Sequence, residues 1–241
     1  KLLAGTDSEI TTVGYYCNPI QYAEHRKTLE NVICTAGKFG ATHVSTFAGA
    51  WEGKPVESAY EEFGKVFREL ADLAEEKGVK LGIENCLMDG TWEHATCNIG
   101  FNPKAWEVMF EEVKNDNFGL EWEPTHQMVQ LIDPVTELRK WCKKIVHIHG
   151  KDATIDWDAV RHSGISGAVP FVWHRMPGFG DTNWRDIISI LRSNGYEDDI
   201  CIEGYHDPVY SGELEMTGQL HALNYLKWCR GGDFTPTPWA K

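Results

Sequence analysis

Apolar residues in this chain fall into two alternating kinds of segment: short runs rich in β-branched and aromatic residues, and longer stretches in which apolar positions recur every three or four residues. The short runs predict strands and the longer stretches amphipathic helices. Strands are predicted over residues 10–16, 43–47, 80–84, 118–123, 144–149, 169–175 and 200–203, and helices over 22–39, 58–77, 103–113, 134–143 and 184–194. The punctuation agrees. Asn18-Pro19 closes the first run, Gly40 and Gly78 follow the first two helices, and Pro103 stands in a first helical turn, where its missing N–H does no harm. Strands alternating with helices predict a parallel sheet with right-handed crossovers, and this many repeats more often close into a barrel than stay open. The fold class is therefore read as α/β, a single (β/α)8 TIM-barrel domain over residues 1–241. The first βα unit is expected to be missing, because the residues before Ile10 leave hardly room for a strand and a helix.

Four of the runs stop abruptly at a carboxylate or an imidazole: Leu81-Gly82-Ile83-Glu84-Asn85, Leu120-Glu121-Trp122-Glu123-Pro124-Thr125-His126, Ile145-Val146-His147-Ile148-His149 and Ile200-Cys201-Ile202-Glu203-Gly204. Strands of a parallel barrel deliver residues to a shared mouth in this way, so the four ends together point to one metal site. His147 is expected to face away from His149 and to pack among the helices. Trp122 alternates away from Glu121 and Glu123, which predicts core packing. Trp51, in a glycine-flanked loop, is a candidate for stacking on the C–H face of a sugar.

Composition narrows the function. The charge of −13, from 36 acidic and 23 basic residues, opposes a surface that collects phosphate backbones, so no nucleic-acid partner is expected. No apolar run approaches the ~18 residues of a membrane span, and no signal-like segment is present. Seven cysteines without CxxC spacing predict neither a disulfide framework nor a zinc knuckle, and are read as thiols of a reducing cytoplasm.

The chain resembles the sugar phosphate isomerase/epimerase family, the xylose isomerase-like TIM barrels that include ketose 3-epimerases, hydroxypyruvate isomerases and inosose dehydratases. The matching pieces are Ile83-Glu84-Asn85, the acid-Pro-x-His of Glu123-Pro124-Thr125-His126, His147-Ile148-His149-Gly150-Lys151-Asp152, Arg175-Met176-Pro177-Gly178-Phe179-Gly180 followed by Trp184, and Ile202-Glu203-Gly204. The resemblance implies one divalent metal ion held by Glu84, Glu123, His149 and Glu203. This oxygen-rich set with one imidazole suits Mn²⁺ or Mg²⁺ and accommodates Co²⁺ or Zn²⁺. It further implies a metal-dependent isomerase or epimerase that converts a sugar-like hydroxy-ketone through an enediolate, with Glu84 and Glu203 as the acid-base pair. His126, Arg175 and Lys151 would bind the substrate. The plainer alternatives are an ion pair to Asp152 or another acid for Lys151, a loop anchor for Arg175, and structural roles for His174 and His206.

Two departures shape the expectation. The family usually places Asp where Glu123 stands, so the extra methylene must be absorbed by a shifted metal, by Glu121 or by the backbone. No arginine follows His149 closely, as one does in the ketose 3-epimerases, and no Gly-rich anion cradle follows the last strand. An unphosphorylated sugar, cyclitol or sugar acid is therefore the expected small-molecule substrate. The alternative reaction at the same site is dehydration of an inosose or keto-sugar acid. More distant readings are an endonuclease IV-like repair enzyme, for which the additional histidines are absent, and a non-catalytic carbohydrate-binding barrel. Family barrels often pair, and the aromatic residues Phe234 and Trp239 suit either a homo-oligomer contact or the chain's own barrel.

Overall fold

A computed structural model describes residues 3, 5–204, 206–233 and 235–238; Phe234 and Trp239 lie outside them. The elements are β1 (Thr12–Gly14), α1 (Ala23–Ala36), β2 (His43–Thr46), α2 (Tyr60–Glu76), β3 (Lys80–Glu84), α3 (Pro103–Glu112), β4 (Phe118–Trp122), α4 (Thr125–Met128), α5 (Pro134–Trp141), β5 (Ile145–Gly150), β6 (Asp152–Ile155), α6 (Trp157–Ser163), β7 (Val172–Arg175), α7 (Trp184–Ser193), β8 (Ile200–Ile202) and α8 (Glu215–Cys229). Six strands form one parallel sheet in the order β1-β2-β3-β4-β5-β8. The sheet curls: the Thr12 hydroxyl on β1 lies 3.4 Å from Nδ1 of His147 on β5, across the concave face.

The outer face carries the apolar core. Leu81, Ile83, Phe118, Leu120, Trp122 and Ile148 are buried there beneath the helices. Helix α2 shows why the sequence folds this way. Its buried residues Phe63, Val66, Phe67, Leu70, Ala71 and Ala74 recur at helical spacing along one stripe, and Phe63 and Phe67 pack at 6.1 and 6.0 Å from the ring of Phe118. Each large apolar side chain buried so completely contributes about 1.5–3 kcal/mol. Trp122 belongs to this layer, its indole N–H donating to Gln127 Oε1 at 2.9 Å, as its alternation predicts.

The strand predicted over residues 169–175 is real but is not a barrel strand. β7 pairs antiparallel with β6, Asp152 opposite Arg175 and Ile155 opposite Val172, in a separate two-stranded ribbon. β8 joins the parallel sheet directly beside β5, His149 opposite Cys201. The described residues thus supply six barrel strands rather than seven. A short β-branched run reads alike in either setting, which is why its apolar pattern did not separate them.

One irregularity matters for the site. Where β4 meets β5, Leu120 pairs with Ile145 but Glu121 pairs with His147, so the register shifts by one residue. Glu121 is also opposite Glu84 on β3. Glu84, Glu121 and His147 therefore stand abreast in one row on the concave face.

Candidate metal centre

The C-terminal ends of β3, β4, β5 and β8 converge on the imidazole of His149. Its Nδ1 lies 3.3 Å from Glu84 Oε1, 3.5 Å from Glu123 Oε2 and 3.0 Å from Glu203 Oε2. One potential ligand atom from each of Glu84, Glu123, His149 and Glu203 falls within 4.8 Å of every other. Three of these atoms, His149 Nδ1, Glu123 Oε2 and Glu203 Oε2, are buried without a well-directed hydrogen bond. Buried orphan donors and acceptors of this kind are costly unless something else satisfies them, and a divalent cation does so for three carboxylates and a lone pair at once.

Backbone clamps fix two of the candidate ligands, Glu84 and Glu123. Asn85 follows Glu84 and bridges to the next strand: its Oδ1 accepts the Glu123 N–H at 2.8 Å and its Nδ2 donates to the Glu123 carbonyl at 3.0 Å. Asn98 holds the other end, donating to the carbonyls of Glu84 and Cys86 at 2.9 and 2.8 Å while accepting the N–H groups of Ala48 and Gly100. Asn85 was visible in sequence as part of a motif, whereas Asn98 gave no signal, since its role depends on contacts distant along the chain.

Electrostatics follow from this crowding. Burial pushes the Glu84 carboxyl above its ordinary range, and the neighbouring Glu123 and Glu121 add to it. Burial acts on Glu203 in the same sense, but His149 and Lys151 outweigh it and hold that carboxyl below its ordinary range. Glu123, fully buried, is held well below its ordinary range by His126 and Lys151 despite burial. His126 responds in kind: burial disfavours its charge, yet Glu123 raises it to about 10, with Nε2 only 2.6 Å from Glu123 Oε1. Nε2 of His149 faces the opposite way from the cluster, 3.2 Å from Glu121 Oε1.

The residues expected to bind substrate separate into three groups. Lys151 is 2% exposed and sits inside the cluster, its Nζ 2.9 Å from Glu203 Oε1 and 3.5 Å from Glu123 Oε1. Its partners are these acids rather than Asp152, whose buried carboxylate instead accepts the N–H groups of Ala153, Gly178 and Thr182. That hub explains Gly180 of the Arg175–Gly180 motif, since a side chain there would collide with Asp152, whereas Gly178 has a positive φ and leaves no room beside Tyr225 and His221. His126 is in the cluster, bound to Glu123. Arg175 is tied down, donating from Nε to Asp207 Oδ2 at 3.1 Å, which fits the loop-anchor alternative. Trp51 lies half-buried against the hydrophobic core in the loop after β2.

His147 corrects an expectation. Strand alternation has a period of two, so residues 147 and 149 share a face. His147 is accordingly buried on the concave side, 5.6 Å from the His149 ring and 3.8 Å from Glu121 Oε1. Burial lowers its proton affinity to a pKa of about 4, keeping it neutral.

Comparisons with known proteins agree with this architecture. Residues 1–227 match the family described as xylose isomerase-like TIM barrel. Among curated relatives, an inosose dehydratase of Clostridium tetani is 26% identical over 182 residues, a match that covers 73% of this chain and 57% of that enzyme. The chain thus spans little more than half the length of that relative. A xylose isomerase-like TIM-barrel protein from Mycobacterium smegmatis in complex with magnesium superposes with a TM-score of 0.70 at 19% identity, covering 95% of this chain and 76% of that one. The 3-keto-D-glucoside 4-epimerase YcjR from E. coli superposes with a TM-score of 0.68 at 14% identity, covering 94% and 82%. With six parallel strands bringing three carboxylates and an imidazole to one rim, and a family match over nearly its whole length, this chain belongs to the xylose isomerase-like TIM-barrel family.

Proposed function

We propose that the chain is a divalent-metal-dependent enzyme that isomerises or epimerises an unphosphorylated, sugar-like α-hydroxy ketone through an enediolate, with Glu84 and Glu203 as its acid-base pair. The observation that carries this reading is the convergence of Glu84, Glu123, His149 and Glu203 on one point from four strand ends. Mn²⁺ or Mg²⁺ suits the donor set best. When bound, such an ion supplies Lewis-acid stabilisation of negative charge developing on the substrate's oxygens.

The chain's own groups then divide the work. Glu84 and Glu203 stand on β3 and beyond β8, with β4 and β5 between them, so they reach a bound substrate from separate sides of His149. Their environments push them apart in proton affinity, Glu84 upward and Glu203 downward, a pattern that suits one group to give a proton and the other to take it. Lys151 holds Glu203 in place and brings positive charge to the rim where enediolate oxygens would lie. His126 and Glu123 form a charged pair that offers a hydrogen-bond partner to a substrate hydroxyl.

A second reading, dehydration of an inosose or keto-sugar acid at the same site, is favoured by the inosose dehydratase relative. It shares the first step, removal of a proton α to a carbonyl, and differs in losing a β-hydroxyl instead of regaining the proton.

The test is proton exchange in D₂O, followed by NMR with Mg²⁺, over a panel of ketoses, inososes and keto-sugar acids. Metal-dependent deuterium uptake at an α carbon supports the shared step. Recovery of a stereoisomer or constitutional isomer then identifies isomerase chemistry, and an unsaturated or deoxy product identifies dehydration. Glu203→Gln should abolish exchange while retaining much of the metal affinity, and near-normal exchange in that variant would remove Glu203 from the acid-base role.

A further inference from the structure

Glu121 is buried and is not among the four residues that face the metal point, so its presence two residues before Glu123 asks for a reason. Its carboxylate is held from one side by Tyr16, whose hydroxyl donates to Oε2 at 2.9 Å. The other oxygen, Oε1, is buried without a well-directed hydrogen bond and lies 3.2 Å from His149 Nε2 and 3.8 Å from His147 Nε2. The register shift after Leu120 brings it abreast of His147 and beneath His149.

We infer that Glu121, braced by Tyr16, is a positioning residue that fixes the ring plane and tautomer of His149 so that Nδ1 presents its lone pair to the cation. The inference rests on the metal site proposed above. A neutral imidazole carries one N–H. For Nδ1 to act as a ligand, that hydrogen must sit on Nε2, and a buried N–H needs an acceptor. Glu121 Oε1 is the acceptor within reach of Nε2. A carboxylate behind a ligating histidine is a common device for raising ligand basicity and holding the ring still.

The competing reading puts a second cation between Glu121, His147 and His149, whose ligand atoms also lie within 4.8 Å of one another. That arrangement requires His149 to surrender both ring protons and bridge two ions as an imidazolate, whereas the hydrogen-bonded arrangement needs only the ordinary neutral ring. The simpler protonation state decides for positioning.

The experiment compares the wild type with Glu121→Leu, Glu121→Gln and Tyr16→Phe. Mn²⁺ binding is read from the EPR signal of the free aqua ion, and the His149 tautomer from long-range ¹⁵N–¹H spectra of the Mg²⁺-loaded protein. The wild type should bind one Mn²⁺ and show Nε2–H at His149. Glu121→Leu should weaken Mn²⁺ binding about 10- to 100-fold and lose the fixed tautomer. Glu121→Gln, whose amide oxygen still accepts from Nε2–H, should recover much of the affinity, and Tyr16→Phe should lose a few-fold. If Glu121→Leu fails to fold, the Gln and Phe variants carry the comparison. One Mn²⁺ in the wild type with unchanged affinity and tautomer in every folded variant overturns the inference while sparing the metal site. Two ions in the wild type and one in a Glu121 variant overturn it in favour of the second cation. No binding by the wild type overturns the metal reading itself, and the inference with it.

Discussion

Asn85 grips Glu123 at both poles of its backbone, accepting the N–H at 2.8 Å and donating to the carbonyl at 3.0 Å, so the residue that follows β3 sets the position of a candidate ligand just beyond β4. All four atoms are buried between neighbouring strands. Replacing Asn85 with Leu leaves two backbone groups without partners, at about 1–3 kcal/mol each. Urea unfolding of Asn85→Leu should show a loss of about 2–5 kcal/mol, and Mn²⁺ affinity should fall with it; a loss under about 1 kcal/mol would mean that water replaces the clamp.

Glu123 stands where the family usually has Asp, and the structure shows what the extra methylene reaches: Nε2 of His126 at 2.6 Å with one oxygen and Nδ1 of His149 at 3.5 Å with the other. Shortening the side chain in Glu123→Asp withdraws the carboxylate by roughly 1.5 Å, beyond the ~0.5 Å within which a site must be held. Calorimetric titration should show Mn²⁺ binding weakened by about tenfold. Equal or tighter binding would show that the backbone at this rim accommodates either acid.

Lys151 is a buried ammonium between two prospective ligands, and charge alone predicts a divided outcome for Lys151→Met. Removing a positive charge close to Glu203 and Glu123 should leave cation binding unchanged or tighter. Exchange of the substrate's α proton should fall by at least about 100-fold, as when an electrostatic stabiliser of developing charge is lost. A parallel loss of metal and exchange would mark Lys151 as a structural cation only.

His147 makes the metal-free protein sensitive to acid. Its pKa is lowered from 6.5 to about 4 by burial, so the unfolded chain takes up a proton that the folded one refuses. Its contribution is therefore fully present above pH 6.5 and is lost as pH falls toward 4, by about 3 kcal/mol. Denaturant midpoints for wild type and His147→Leu, measured from pH 7 to pH 4, should converge or cross as acid destabilises the wild type more. Parallel curves would show that His147 takes up its proton at the same pH in the folded and unfolded chain.

Much of this was legible along the chain because strand ends and candidate ligands coincide: apolar runs that stop at Glu84, Glu123, His149 and Glu203 meet at one rim, as a parallel sheet requires. The helices α1, α2, α3, α5 and α7 each form within the predicted spans. What escaped the reading did so for physical reasons. Helix α8 buries only Gly218, Ala222 and Leu226 while Met216, Leu220 and Leu223 face outward, so no apolar stripe announces it. The β6–β7 ribbon has the composition of a barrel strand and differs only in its partner. His147 shares the concave face with His149, since residues two apart on a strand point the same way. Along the chain Glu121 signals no more than a possible compensation for Glu123, because its contact with Tyr16 joins residues 105 positions apart.

The clasp at Asp152 has a consequence for how such a protein diversifies. Three backbone N–H groups, from Ala153, Gly178 and Thr182, close on one carboxylate that follows Lys151 directly in the chain. The clasp fastens both ends of the excursion that contains the outward-facing stretch 161–170. That stretch is free to lengthen, shorten or change composition without moving the ammonium beside Glu203. Inheritance can therefore rewrite the excursion while the chemistry at the rim stays put, and a library confined to residues 156–171 is the economical place to graft a new specificity onto this scaffold.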